Sequence, residues 1–364
     1  MIFFSNPSAQ FRSYQSEIEK AVLNVIRGNN YILGKEVEAL EKEFAEFIGV
    51  SDAVGVANGT DAIELALRAL DVGPGDEVIT VSHTAVATVA AIEAVGAEAV
   101  LVDIEPKFYT LDPNQLEEVL SKKTKALIAV HLYGQAVDLD LIKSFCDANS
   151  IFLVEDVSQA HGAKYKDQRL GSIGIIGCFS CYPTKNLGAI GDAGLVTTND
   201  RNLAIKIKML REYGWKNRVS EYPGRNSRLD ELQASILRVK LKHLDTDNSK
   251  RRDLAEYYYS NLKDLPCILP VTRKSTEAVF HLYVVQAENR DELIKYIASK
   301  GIQLGIHYPF PVHLQPTYKD KIKTSKSLRI TEDITKKIFS LPMYPELSKN
   351  DVNKVVSLLK KSLG

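Results

Sequence analysis

Little cysteine, no net charge and no long apolar run: each shortage removes a class of function from this chain. Four cysteines in 364 residues, Cys146, Cys178, Cys181 and Cys267, show no disulfide-framework spacing. The single Cys178-x-x-Cys181 pair lacks the second pair that would make a zinc site, so no metal is expected. Buried, reduced thiols in a cytoplasmic protein are the expectation. Lysine and arginine together number 46, as do aspartate and glutamate. That balance provides no long-range field for nucleic acid or an anionic membrane. A phosphate-bearing ligand must therefore be gripped by a local site. No stretch reaches the ~18 apolar residues that cross a bilayer. The opening Met1-Ile-Phe-Phe-Ser-Asn-Pro7 lacks the basic flank of a secretory signal, and none is expected. Internal repeats and low-complexity segments are also absent.

What the chain does have is hydrophobic content, 45%, enough for a large core and a smaller second one. Helical periodicity marks residues 14–26 and 35–47, and Asn58-Gly-Thr-Asp61 opens a further helix to Leu70. Short apolar runs at 77–81, 99–104, 126–131 and 151–155 then alternate with helical stretches at 88–95, 113–120 and 140–148. The alternation predicts an α/β fold with a mainly parallel sheet covered on both faces. Ligand sites in such sheets gather beyond the carboxyl ends of the strands. The polar residues there are Asp103, His131, Glu155 and Asp156. From Ser227 a long helical region leads through charged residues into a stretch mixing short strands and helices. The expected division is 1–245 for an N-terminal segment with the large domain, and 246–364 for a small α+β C-terminal domain.

One pairing carries chemistry. Lys185 lies in Cys178-Phe-Ser-Cys-Tyr-Pro-Thr-Lys-Asn-Leu-Gly188, and Asp156 lies about one βα unit upstream. An amine and a carboxylate are the two groups a pyridoxal phosphate (PLP) enzyme requires. The amine can form a Schiff base with the aldehyde, and the carboxylate can keep the pyridinium nitrogen protonated. Asp156 directly follows Ile151-Phe-Leu-Val154, where a carboxylate is costly without a cationic partner; a turn or cap residue is the ordinary alternative. Gly59 and Thr60 stand at a helix start, where free N–H groups and the dipole favour phosphate, although a simple cap would look the same. Ser180 could share that phosphate. Gln159 could bond the cofactor's phenolic oxygen or be a surface residue, and His161 reads as a packed histidine. Gly188, Gly191 and Gly194 permit tight turns beside a bulky cofactor. Asn226, in Asn226-Ser-Arg-Leu-Asp-Glu-Leu-Gln233, is either a second phosphate contact or part of a helix cap. The loop His307-Tyr308-Pro-Phe-Pro-Val-His313-Leu-Gln-Pro316 suits a polar, ring-shaped substrate or a packed crossover.

With these residues in place, the chain resembles the DegT-type nucleotide-sugar aminotransferases, a branch of the aspartate aminotransferase-like (fold-type I) PLP enzymes. The likeness runs nearly end to end through Tyr31-Ile-Leu-Gly34, Asn58–Asp61, Gly73-Pro-Gly-Asp-Glu77, His131-Leu-Tyr-Gly134, Glu155–Gly162, Tyr182–Gly188, Asn226–Gln233 and His307–Pro316. It implies a homodimer with shared active sites. Lys185 would be the Schiff-base lysine and Asp156 the pyridinium partner, with Gln159 on the phenolic oxygen. Gly59, Thr60 and Ser180 would bind phosphate, joined by Asn226 from the neighbouring subunit. Tyr182, His307, Tyr308 and His313 would face the sugar. The family commonly stacks an aromatic residue on the cofactor ring where this chain has Ala85, so either His83 or smaller groups must cover that face.

The implied reaction moves an amino group from L-glutamate to a nucleotide-linked, dTDP-bound 3-keto-6-deoxyhexose, through pyridoxamine phosphate. Amination at carbon 4 and a non-catalytic PLP-binding regulator are the alternatives. A related sugar dehydratase has histidine in place of the lysine. A desulfurase would need a mobile cysteine loop, and a regulator would carry an appended basic region; the chain has neither.

Overall fold

Eight strands form one sheet in the spatial order Asp52–Val56, Gly194–Thr198, Ile176–Ser180, Phe152–Asp156, Thr124–Val130, Glu77–Val81, Glu98–Val102 and Lys323–Thr324. The computed structural model describes residues 1–363. Seven strands run one way, and only Gly194–Thr198 opposes both of its neighbours. Most strand residues are buried on both faces, as in Glu77–Val81 throughout. This is why the sequence shows continuous apolar runs there and not a polar alternation.

The reversed strand was not anticipated. Gly194 reads as a turn glycine in sequence, but it opens this strand. A Cβ there would stand 2.4 Å from the Asn58 carbonyl oxygen, so glycine serves close approach of two chain segments. The stretch 113–120 also differs from expectation, forming a 3-10 turn at Pro113–Gln115 and a short helix at Leu116–Val119. Elsewhere the elements fall close to their expected places, including helices Gln15–Ile26, Lys35–Ile48, Val86–Ala94 and Leu139–Asn149.

The helix Gly59–Ala69 lies against the sheet between Val86–Ala94 and Arg201–Leu210. It buries Ala62, Ile63, Leu65, Ala66 and Leu67, and so is held from nearly all sides. Its N-cap, Asn58, takes the N–H of Asp61 at 2.8 Å, a local device that sets where the helix begins.

A continuous helix, Glu231–Leu262, joins two cores. Leu237, Leu241 and Leu244 belong to the core of the large sheet, whereas Leu254, Ala255, Tyr258 and Leu262 pack with Tyr283, Val285, Phe339, Leu341 and Val356. The 245/246 division falls inside this helix. The chain beyond it also returns to the large sheet, where Lys323–Thr324 pairs with Glu98–Val102. At the other end of the chain, Ile2 bridges to Ile302. No helix among the described residues is long and apolar enough to cross a membrane.

Candidate active site

The carboxyl ends of Phe152–Asp156 and Ile176–Ser180 and the start of the Gly59–Ala69 helix converge on a cavity of about 660 Å³. Nine of the eleven residues singled out from sequence line it: Gly59, Thr60, Asp156, Gln159, Ser180, Tyr182, Lys185, His307 and Tyr308. Of the four polar strand-end residues, only Asp156 does. Asp103 instead accepts the N–H groups of Ile330 and Thr331 at 2.8 Å each, fixing the start of helix Arg329–Ile334. Glu155 is wholly buried and bonds His131 Nε2 at 3.0 Å and the N–H groups of Gly171, Ile173 and Gly174. Burial pushes its carboxyl up, but His131 and those N–H groups outweigh this and hold it below the ordinary range. It anchors a loop beneath the site.

Asp156 is held from behind. Its Oδ2 accepts from Thr88 Oγ1 at 3.1 Å and its Oδ1 from the Ser158 N–H at 3.1 Å. With Thr88 donating to the carboxylate, Thr84 donates to Thr88 at 3.0 Å. Two carboxylate oxygens offer about four acceptor sites, so capacity remains for a donor in the cavity. Lys185 is half-buried in the cavity wall. Burial lowers its amine to about 8, against the opposing pull of Asp156.

The anion end is built by backbone. Because Asn58 caps the N–H of Asp61, the N–H groups of Gly59 and Thr60 are left for a ligand at the positive end of the helix. A Cβ on Gly59 would sit 2.4 Å from Ser180 Cβ, so glycine alone lets the serine stand beside the helix start. Gln159 is clamped: its Oε1 accepts the Tyr133 N–H at 2.9 Å and its Nε2 donates to Tyr308 OH at 2.9 Å. Tyr133 takes the left-handed conformation, φ 63°, and its hydroxyl also donates to the His307 carbonyl. Burial and the nearby Asp156 push the Tyr308 phenol up to about 12, so it keeps its proton. His307 bonds Ser340 Oγ through Nδ1 at 2.9 Å, and burial with nearby Lys185 lowers it to about 4. Tyr182 is 53% exposed at the cavity rim.

Two residues stand apart. His313 bonds Ser82 Oγ at 2.6 Å and Glu332 Oε1 at 3.2 Å, because the turn Val312–Leu314 carries it away from the cavity. Asn226 is exposed and bridges to Glu212 through its backbone. On the open question of the ring face, Ala85 lines the cavity with Thr84 and Ala87, whereas His83 is buried against Tyr133 OH at 2.6 Å. Small groups form that wall. Cys178 and Cys181 are buried, with both thiols raised by burial.

Sequence reasoning missed Thr88, Ser158, Tyr133 and His281, as well as Phe4 and Ser5 in the cavity wall. Thr84 and Thr88 are spaced four apart at a helix start, which could have flagged a shared task. Phe4 and Ser5 carry no signal, since only the tertiary fold returns the N-terminus to the site.

An amine, a carboxylate, a clamped amide and an anion-cradling helix start fit PLP at its aldehyde, ring nitrogen, phenolic oxygen and phosphate respectively. On a sheet of this topology, they define a fold-type I PLP-dependent aminotransferase. A profile of the DegT/DnrJ/EryC1/StrS aminotransferase family matches residues 12–360. The dTDP-3-amino-3,4,6-trideoxy-alpha-D-glucose transaminase of Streptomyces venezuelae is 42% identical over 360 residues, covering 98% of this chain and 95% of that protein. The dTDP-3-amino-3,6-dideoxy-alpha-D-galactopyranose transaminase of Aneurinibacillus thermoaerophilus is 43% identical over 349 residues, 96% of each chain. The crystal structure of S. venezuelae DesV in complex with a ketimine intermediate superposes with a TM-score of 0.97 at 41% identity, covering 100% of this chain and 98% of that one. The chain belongs to the DegT/DnrJ/EryC1/StrS aminotransferase family.

Proposed function

We propose that this enzyme transfers the amino group of L-glutamate to carbon 3 of a dTDP-linked 3-keto-6-deoxyhexose, working in the cytoplasm as a homodimer. The observation that carries the choice of carbon and nucleotide is the end-to-end identity of 42% and 43% to two proteins named as dTDP-3-amino-sugar transaminases. The cavity supports the reading with the half-buried Lys185 amine, the Asp156 carboxylate and a polar aromatic wall.

Bound PLP supplies an electron sink that makes the donor's α-hydrogen acidic and so allows the amino group to pass between carbons. Gly59, Thr60 and Ser180 would hold its phosphate, Asp156 its pyridinium N–H and Gln159 Nε2 its phenolic oxygen. Lys185 Nζ, with a pKa of about 8, is a base that can take a proton from the donor's α-carbon near neutral pH and give it back to the carbon on the other side of the transferred nitrogen. One lysine therefore serves both halves of the reaction. Tyr308, which keeps its proton, offers a hydroxyl donor beside Gln159. Tyr182 at the rim and His307 in the wall would face the sugar. Asn226 lies outside its own chain's cavity, so its phosphate contact would come from the second copy of the dimer.

The test is spectroscopic. Purified protein loaded with PLP should absorb near ~420 nm, shift to ~330 nm with L-glutamate, and recover the first band with a dTDP-3-ketosugar. Lys185→Ala should lack the first band and all turnover. Recovery with a 4-keto sugar alone would move the reaction to carbon 4, and full turnover by Lys185→Ala would remove the lysine from the mechanism.

A further inference from the structure

Asn186, next to Lys185, is the hub of a buried polar chain. Its Nδ2 donates to the Val279 carbonyl at 3.2 Å and to Asn248 Oδ1 at 2.9 Å. Asn248 Nδ2 in turn donates to the His161 carbonyl at 2.9 Å. Backbone carbonyls only accept, so together they settle which end of each amide is nitrogen. Asn186 Oδ1 is then the atom facing His281 Nδ1, at 3.1 Å, and it must accept.

His281 is only 7% exposed, yet it is one of the residues lining the same cavity as Lys185, and its Nε2 is not among the enclosed polar atoms. Burial, reinforced by the nearby cations Lys185 and Arg251, lowers this imidazole well below its ordinary range. The ring is therefore neutral, with its one N–H on Nδ1. Nε2 is left as an acceptor, and among the described residues it has no protein hydrogen-bond partner. A histidine locked in one tautomer by an amide that follows the reactive lysine is an oriented acceptor on the lysine side of the cavity.

We propose that His281 Nε2 recognises the acceptor sugar by taking a hydrogen bond from a hydroxyl on a carbon next to the reacting carbonyl. The inference rests on the ketosugar reading above. A hydroxyl can satisfy this nitrogen and a deoxy carbon cannot, so the residue would select between sugars that differ only there.

Two substitutions separate recognition from architecture. Asparagine places an amide nitrogen near the position of Nδ1 and nothing at Nε2, so His281→Asn keeps the Asn186 contact and loses the cavity acceptor. Glutamine reaches the Nε2 position with its carbonyl oxygen, so His281→Gln does the reverse. The PLP-loaded variants are compared in the glutamate half-reaction and in the ketosugar half-reaction, using the full sugar and analogues lacking the hydroxyl at carbon 2 or carbon 4. His281→Asn should run the glutamate half-reaction like wild type and lose about 10- to 100-fold in kcat/KM with the full sugar, as expected when a buried hydroxyl loses its acceptor. That loss should vanish with one of the two analogues, and His281→Gln should retain most of the wild-type rate. Wild-type rates in His281→Asn would overturn the proposal. So would a loss that persists with both analogues, which would put the acceptor on a protein group, or a loss of the glutamate half-reaction in both variants, which would make the residue architectural. Wild-type enzyme that takes glutamate's amino group and returns it to no ketosugar would overturn the sugar reading itself, and this one with it.

Discussion

Replacing Lys185 by methionine should abolish activity and at the same time make the cofactor-free protein more stable at pH 7. The amine has a pKa of about 8 in the fold against 10.5 when unperturbed. At pH 7 it is charged in both folded and unfolded chains, but the folded chain holds that charge in a site that disfavours it. At ~1.36 kcal/mol for each tenfold change in proton affinity, the cost is about 3 kcal/mol. Water reaching the half-buried amine through the cavity mouth reduces this to about 2 kcal/mol. Methionine keeps the length and apolar stem without the charge. The sign follows from proton counts: between pH 8 and 10.5 the unfolded chain binds the proton and the folded chain does not, so wild-type stability rises across that window. The advantage of Lys185→Met should therefore be full below pH 8 and close as pH rises to 10.5. Lys240, also lowered to about 8 by burial, titrates in the same window but is common to both proteins and cancels in the difference. Urea unfolding of both cofactor-free proteins at pH 7, 8.5 and 10, at one protein concentration, measures it. An advantage absent at pH 7, or constant with pH, would refute the account of Lys185 as a base tuned by burial.

Two further outcomes follow from the shell around the site. Thr88→Val keeps the shape but removes the donor 3.1 Å from Asp156 Oδ2, and kcat/KM should fall about 10-fold with the fold intact; an unchanged rate would show that Asp156 does not depend on that support. Glu155→Gln leaves His131 and three backbone N–H groups around a neutral amide, and should destabilise the protein at pH 7 by about 2–4 kcal/mol. Because the Glu155 carboxyl is lowered in the fold, its contribution is present above the unfolded carboxylate range and lost as pH falls through the lower folded value. The wild-type advantage over Glu155→Gln should accordingly shrink only below the unfolded carboxylate range, and thermal unfolding followed from pH 7 down to pH 3 would reveal a flat difference if the carboxylate carried no such role.

Much of the site was legible because its chemistry sits where local rules expose it. Asp156 ends an apolar strand, where burial leaves a carboxylate few ordinary reasons to be. Asn58-Gly-Thr-Asp61 announces its helix start through cap chemistry, and the tight Gly59–Ser180 approach explains why the second residue is glycine. Tyr182-Pro-Thr-Lys185 and the proline-bound loop at 307–316 are too unusual to be linkers. His313 shows the limit: it shares that loop with His307 and Tyr308, but a single 3-10 turn sends it toward Ser82 and Glu332 instead. Spacing along an irregular loop does not determine direction, because the loop has no fixed period.

By itself, then, the sequence determined the strand and helix alternation and the sheet's mainly parallel character, and it singled out Lys185 and Asp156, which the fold brings to one cavity, since these readings follow from periodicity and from the cost of burying charge. Tertiary structure alone decided the rest. It reversed the strand Gly194–Thr198, brought Phe4 and Ser5 back to the cavity, set Thr88 behind Asp156 and turned His83 away from it. It also chose the tautomer of His281, through a chain of amides whose ends lie on Val279 and His161. Those arrangements join residues far apart in the chain, and their direction depends on which backbone groups the folded protein brings within hydrogen-bond reach.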